Sequence, residues 1–270
     1  MRLGACIGTV TPAVAQLNLK WAFGVYANAM SAEFLNLPPS VEFVPLTFEN
    51  KPNASWAKIV ENPNYQSEIL IGSEPCGGWD NYRDPRDVAN DYVAQMRALR
   101  EIDPQAKFIL TAGTQGQLPY NRHNRDTPLI ESLWTNIPDD LRELIPAVHC
   151  HIYPRWISDD PDERWNVQNF ARYIRGLRRW LRENGLGERK IWVSEFGFEG
   201  YFADDPKEYT RCVKYTRELL AHPKIRRWCA RLAFYPATER SGSGGSNGYL
   251  SLLDENGALT GLGRVWTKKK

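Results

Sequence analysis

The sequence predicts an α/β fold, a single (β/α)8 barrel (TIM barrel) spanning residues 1–267, with a frayed basic tail at 268–270. Three observations predict it. Eight short apolar or β-branched runs recur along the chain, most of them followed by a turn-rich loop and then an amphipathic stretch. The 270 residues suit the roughly 250 that such a barrel takes as one domain. Neither a GxGxxG nor a P-loop spacing appears, whereas an open doubly wound sheet usually carries a glycine-rich turn early.

The elements follow in order. Residues 3–10 (LGACIGTV) are the first strand, and 12–19 a short helical or irregular crossover. Residues 20–26 (KWAFGVY) are the second strand and 41–48 (VEFVPLTF) the third. Pro45 inside the third strand predicts a bulge or a strand end, because proline has no N–H to give a ladder. Residues 68–73 are the fourth strand. A helix is predicted over 84–101, where Val88, Tyr92, Val93, Met96 and Leu99 fall on one face and Asp103-Pro104 stops the run. Residues 107–111 (KFILT) are the fifth strand, ending on Ala112-Gly113. Residues 128–144 hold one helix, or two broken by Pro138. Residues 147–153 (AVHCHIY) are the sixth strand and 191–195 (IWVSE) the seventh. Between them, 167–184 is a basic amphipathic helix ended by Gly185. Residues 206–220 are the next helix and 231–235 (RLAFY) the eighth strand. The glycine-rich stretch 241–248 (SGSGGSNG) follows that last strand, so it is read as a mobile loop at the barrel mouth rather than a phosphate cradle.

Composition narrows the function. A hydrophobic content of 42% and an aromatic content of 12% are enough for a sizeable core. The net charge of +2 gives no argument for nucleic acid or an anionic surface. Arg172, Arg175, Arg178, Arg179 and Arg182 fall at helical spacing, which fits a solvated outer face better than a nucleic-acid groove. No apolar run reaches the ~18 residues of a membrane span, and no secretion signal is visible. Five cysteines, at 6, 76, 150, 212 and 229, make neither a disulfide framework nor a zinc spacing. They read as reduced core thiols, with Cys76 the exception because it adjoins Glu74. A monomer in the cytoplasm, or one exported by a non-classical route, is the expectation.

In a barrel of this kind the chemistry sits at the carboxyl ends of the strands. That rule selects Asn28, Glu49, Glu74, His151, Tyr153, Glu195 and Tyr235. Glu195 ends the run Ile191-Trp192-Val193-Ser194 and precedes Phe-Gly-Phe, and Gly197 is expected to let the chain turn sharply past the acid. Glu74 ends a second apolar run in the same way. One carboxylate at a strand end can be a salt-bridged or capping residue. Two, at the mouths of two buried strands, are the arrangement that glycosidic bond cleavage needs. His149, His151 and Tyr153 share parity, so they project to one side of their strand and Cys150 to the other. Two histidines at i, i+2 could hold a metal, but no third ligand lies nearby in sequence, so no metal and no cofactor is expected. One histidine is expected to pack inside the barrel, the other to orient a carboxylate or a sugar hydroxyl. Trp79 and Trp156 lie just past strand ends, where each could stack on a sugar ring or fold down as a lid on the core.

These residues resemble glycoside hydrolase clan A. Ser73-Glu74-Pro75 looks like its Asn-Glu-Pro signature, Val193-Ser194-Glu195-Phe196-Gly197 like its nucleophile strand, and His151-Ile152-Tyr153 like its His-x-Tyr element. The three-strand spacing between the glutamates and the ending LLDENGALTGLG at 252–263 are also similar. Within the clan, the short chain and the run Phe43-Val44-Pro45 look most like the β-1,3-glucanases of family 128. The resemblance implies a retaining hydrolase of β-linked glycans with an oligosaccharide or polysaccharide substrate. Glu195 would be the nucleophile and Glu74 the acid/base. Tyr153 would hold Glu195 ionised, and Ser73 would face the sugar 2-hydroxyl. Ser73 stands where the clan usually has asparagine, which leaves either an altered specificity or a carbohydrate-binding barrel that has lost activity.

Overall fold

The structure is a computed structural model that describes residues 1–7, 12–24, 37–47, 55–75, 83–120, 128–154, 157, 160–198, 206–237 and 250–268. Asn28, Glu49, Cys76, Trp79, Trp156 and the 241–248 loop, all singled out in the sequence, lie outside these residues, as does the 269–270 end of the tail.

Among the described residues one sheet contains nine strand segments. They are β1 (Arg2–Cys6), β2 (Trp21–Phe23), β3 (Glu42–Phe43), β4 (Leu46–Thr47), β5 (Glu68–Ile71), β6 (Lys107–Thr114), β7 (Ala147–His151), β8 (Lys190–Phe196) and β9 (Cys229–Phe234). Every pairing is parallel, in the order β3-β2-β1-β9-β8-β7-β6-β5-β4. The two ends of that order, β3 and β4, are separated in sequence by only Val44 and Pro45. The Val44 N–H donates to Ala22 O on one side (2.9 Å), and Pro45 O accepts from the Leu70 N–H on the other (2.9 Å). The sheet therefore curls until its end strands are neighbours in the chain. The break falls at Pro45, where the missing N–H interrupts the run read as one third strand.

The helices are α1 (Ser55–Val60), α2 (Pro85–Ile102), α3 (Leu129–Asn136), α4 (Asp139–Arg142), α5 (Pro161–Arg164), α6 (Val167–Glu183), α7 (Pro206–Ala221), α8 (Pro223–Trp228) and α9 (Gly261–Thr267), with a 3-10 turn at Pro12–Leu17. Helix α2 starts where its chemistry says it should. The Asp84 carboxylate accepts from the Arg86 N–H (2.8 Å) and Pro85 supplies the first helical position. It ends as the Asp103 N–H donates to Leu99 O (2.8 Å), one residue before Pro104. In α6, Phe170, Ile174, Leu177 and Leu181 are buried while Arg172, Arg175, Arg179 and Arg182 are exposed, and Gly185 closes it at φ +73°. Pro138 does divide the 128–144 stretch, into α3 and α4. None of these helices is long and apolar enough to cross a membrane.

Two apolar clusters sit on opposite faces of the sheet. The larger takes residues from the helices and from one parity of each strand, such as Val148, Cys150 and Val193. The smaller takes the other parity: Trp21, Phe23, Leu46, Leu70, Ile109, Ala147, Trp192 and Ala233, with Tyr153 and Tyr235. No helix contributes to it, so it fills the concave side. Cys6, Cys150, Cys212 and Cys229 are all buried, and no disulfide joins them.

Several expectations need correction. β6 runs on to Thr114 rather than stopping at Thr111, and β9 begins at Cys229. Helices α1, α5, α8 and α9 were not expected, because stretches of four to seven residues show too little periodicity to read. Gly197 is not in the left-handed region. It is needed for space, since a Cβ there would lie 2.0 Å from Tyr235 O, one residue past β9.

Candidate active site

Parallel strands deliver their carboxyl ends to one rim, and two of them deliver acids. Glu74 lies three residues past β5. The chain reaches it through Gly72 at φ +73°, where a Cβ would lie 2.0 Å from the Tyr92 hydroxyl oxygen of α2. Only glycine fits both the backbone angle and the contact. On either side of the acid, β6 and the turn after it hold the backbone. Thr111 Oγ1 donates to Ser73 O (2.8 Å), and Gln117 Nε2 donates to Pro75 O (2.9 Å).

Glu195 is aimed by an irregularity in β8. His149 pairs with Trp192 and Cys150 with Val193, but His151 pairs with Glu195, so Ser194 is an extra residue in the ladder. On the other edge, Val193 pairs with Leu232 and Phe196 with Phe234, three steps on β8 against two on β9. This is a β-bulge. Regular alternation would turn Glu195 to the same side as Val193, into the core beneath the helices. The bulge instead brings it to the side of His151.

The acids meet at His151. Its Nδ1 is 2.8 Å from Glu74 Oε1 and 3.4 Å from Glu195 Oε2. One oxygen of each acid and one nitrogen of the ring lie within 4.8 Å of one another. The Tyr153 hydroxyl donates to Glu195 Oε2, while the Tyr153 N–H donates to Gln115 Oε1 (3.2 Å). The ring of Tyr235 meets that of Tyr153 edge-on, centroids 6.5 Å apart. The Glu195 side chain is 9% exposed and that of Glu74 28%, so Glu74 is the acid nearer to solvent.

Residues 11–266 match the family described as glycosyl hydrolase catalytic core. The chain belongs to that family. As a glycoside hydrolase it shares its fold with solved enzymes at low identity. An endo-β-1,3-glucanase of family 128 from Amycolatopsis mediterranei, in complex with laminaripentaose, is similar at TM-score 0.65 and 12% identity, over 99% of each chain. A family 128 exo-β-1,3-glucanase from Aureobasidium namibiae is similar at TM-score 0.63 and 14% identity, over 99% of this chain and 96% of that one. An intracellular xylanase from Thermoanaerobacterium saccharolyticum is similar at TM-score 0.63 and 12% identity, over 98% and 95%. No curated protein matches the chain by sequence.

The two histidines of β7, His149 and His151, have opposite electrostatics. Burial of His151 disfavours its charge, but the Glu195 charge, the hydrogen bond to Glu74 and the Glu74 charge outweigh it and raise its pKa. Burial of His149, then the neighbouring charge of His151, lowers its pKa to about 3. His149, His151 and Tyr153 do project to one side of their strand, and Cys150 to the other. Glu74, His151 and Glu195 are also the only group among the described residues that could hold a metal ion. In the structure the ring nitrogen of that group, His151 Nδ1, is engaged with Glu74 Oε1 at 2.8 Å.

Of the sequence-selected residues, the structure brings Glu74, His151, Tyr153, Glu195 and Tyr235 to one place and sets Ser73 beside them, half-buried. Sequence reading passed over Thr111, Gln115 and Gln117, which tie down the backbone around the acids. Their one signal is a cluster of polar residues directly after an apolar strand.

Proposed function

We propose that this glycoside hydrolase is a retaining enzyme acting on β-linked glucan, with β-1,3-glucan as the first substrate to test. The observation that carries the reading is the spacing of its acids. Retaining glycosidases hold their two carboxyl groups about 5–5.5 Å apart, inverting ones about 6.5–9.5 Å. The nearest oxygens of Glu74 and Glu195 lie within 4.8 Å. The substrate rests on likeness of fold to enzymes described as β-1,3-glucanases.

Glu195, ionised and held by the Tyr153 hydroxyl, attacks the anomeric carbon. The C1–O bond to the leaving sugar breaks as a Glu195–C1 ester forms, and Glu74 gives its proton to the departing oxygen. Glu74 then takes a proton from water, which attacks C1 and frees Glu195. The greater exposure of Glu74 suits the residue that must meet both leaving group and water. Ser73, Trp79, Trp156, Asn28, Glu49 and Tyr235 complete the substrate-binding set, and no metal takes part. In this reading β3 and β4 are one strand interrupted at Pro45, so the fold is an eight-stranded closed barrel, one domain over residues 1–267, acting as a monomer.

The test is to incubate the protein with laminarin, laminari-oligosaccharides and xylan and follow the first product by proton NMR. The β-anomer should appear first and mutarotate later. An initial α-anomer would mean inversion. Full turnover by Glu195→Ala would remove the assignment of the nucleophile, and no turnover of any glycan would favour a binding barrel.

A further inference from the structure

His149 takes no part in the chemistry above, yet it is fully buried between the strands that carry the two acids. Its Nε2 is 3.4 Å from Ile71 O on β5. A carbonyl can only accept, so Nε2 carries the proton. The ring is neutral, which makes Nδ1 an acceptor. At 2.8 Å from Nδ1 is Ser194 Oγ, the hydroxyl of the extra residue in the β8 bulge. One imidazole thus spans two irregularities in the fold. On one side is the bulge that turns Glu195 inward. On the other is the end of β5, next to Gly72, whose left-handed angle leads to Glu74.

We infer that the His149–Ser194 pair is a positioning device that fixes the bulge aiming Glu195 and, through the second ring nitrogen, the strand end leading to Glu74. The inference rests on the retaining reading for its effect on rate, but not for its effect on geometry. Bulges re-aim side chains at functional sites, and an unsupported bulge can slip back into regular pairing. Slippage here would turn Glu195 toward Val193's side. With a neutral ring Ser194 donates to Nδ1. A charged ring would reverse that bond, its Nδ1–H donating to the Ser194 hydroxyl and the hydroxyl proton turning to Cys150 O (3.5 Å). The pair as described is therefore that of the neutral ring. Its burial and the charge on His151 keep it so.

The experiment uses the full chain with 15N-labelled histidine, of which there are four. In the wild type, one histidine should show a protonated Nε2 and a bare Nδ1 and should not titrate above about pH 4, consistent with a pKa of about 3. His151 reports on the acids, because its raised pKa depends on Glu195 and Glu74 being near. In Ser194→Ala, its titration midpoint should fall. The kcat of that variant on laminari-oligosaccharides, or on whichever glycan is turned over, should fall on the order of 10- to 100-fold with KM little changed, the scale of a small misplacement of a reacting group. His149→Gln keeps a donor toward Ile71 but places no acceptor at the Nδ1 position, and should behave like Ser194→Ala. Ser194→Thr keeps the hydroxyl, and His149→Asn places an oxygen near Nδ1. Ser194→Thr should recover most of kcat and of the His151 midpoint, and His149→Asn, which gives up the Ile71 contact, only part of each. Ser194→Ala or His149→Gln with wild-type kcat and an unmoved His151 midpoint would overturn the inference. If the wild type turns over no glycan, the retaining reading fails instead, and the His151 midpoint alone decides the positioning role.

Discussion

At the residue scale, Glu74 and Glu195 share His151 but differ in exposure and in partners, and that difference gives each its own test. On the retaining proposal, Glu195→Ala should abolish turnover of every substrate, because a nucleophile is needed whatever the leaving group. Glu74→Ala should spare aryl glycosides with very good leaving groups in the first step, which need little protonation. Added azide should then speed the second step and give a β-glycosyl azide. Equal loss in both mutants on activated substrates, with no azide effect, would exchange or cancel the roles. Tyr153→Phe removes the hydroxyl that donates to Glu195 Oε2 while keeping the ring against Tyr235. Losing one preorganised donor at a site of changing charge costs on the order of 10² in kcat, so steady-state kinetics should show a fall of that size with KM nearly unchanged. These residues were legible because strand ends can be found from apolar runs alone. What held them was not. His149 reads as one more histidine in a strand, and nothing in the letters around Ser194 says that two successive side chains will face the same way.

At the element scale, the strand breaks divide into one the sequence reveals and one it hides. Pro45 announces the gap between β3 and β4, because a missing N–H is written in the residue type. The β8 bulge depends on how many residues β7 and β9 use over the same length, which is a property of three strands together. Glycines show the same divide. Gly185 ends α6 at φ +73°, and a Cβ placed on it would meet nothing within 4 Å. Gly185→Ala should therefore lose only the left-handed backbone term, about 1–2 kcal/mol. Gly197 lies where a Cβ would overlap Tyr235 O at 2.0 Å, backbone against backbone. Gly197→Ala must push β8 from β9 and should lose about 3 kcal/mol or more. It should also lower kcat, since Glu195 is two residues away. Urea unfolding of the two variants side by side checks the ranking, and an equal loss would return Gly197 to being a plain turn glycine.

At the scale of the whole molecule, the end of the sheet opposite the acids is closed by charges that the sequence did not flag. Arg231, only 6% exposed, bonds Glu42 (2.7 Å) and Glu68 and lies over the Trp192 ring at 3.9 Å. Arg2 adds a second pair to Glu42 (2.6 Å). These residues sit near the starts of β1, β3, β5 and β9, apart in sequence, and only the curl of the sheet brings them together. Burial first, then the hydrogen bond with Glu42, raises the Glu68 pKa from 4.5 to about 7, against the pull of Arg231. Burial also disfavours the Glu42 charge, but the Glu68 hydrogen bond, Arg231 and Arg2 outweigh it and lower its pKa. Below about pH 7 Glu68 thus holds a proton that it shares by hydrogen bond with Glu42. Between about pH 4.5 and pH 7 the folded chain binds more protons at Glu68 than the unfolded chain does, so stability from this group falls as pH rises. It is fully present below about 4.5 and lost through about 7. Glu42 works in the opposite sense, contributing above 4.5 and losing its contribution as pH falls through its lowered pKa. Glu68→Gln keeps a donor toward Glu42 and cannot ionise. Thermal unfolding of wild type and variant at pH 5 and pH 8 isolates the effect, since every other titrating group is common to both. The variant should match or fall slightly below the wild type at pH 5 and exceed it in Tm at pH 8. A difference in Tm that is the same at both pH values would mean that Glu68 is ionised throughout, with Arg231 rather than Glu42 as its controlling partner.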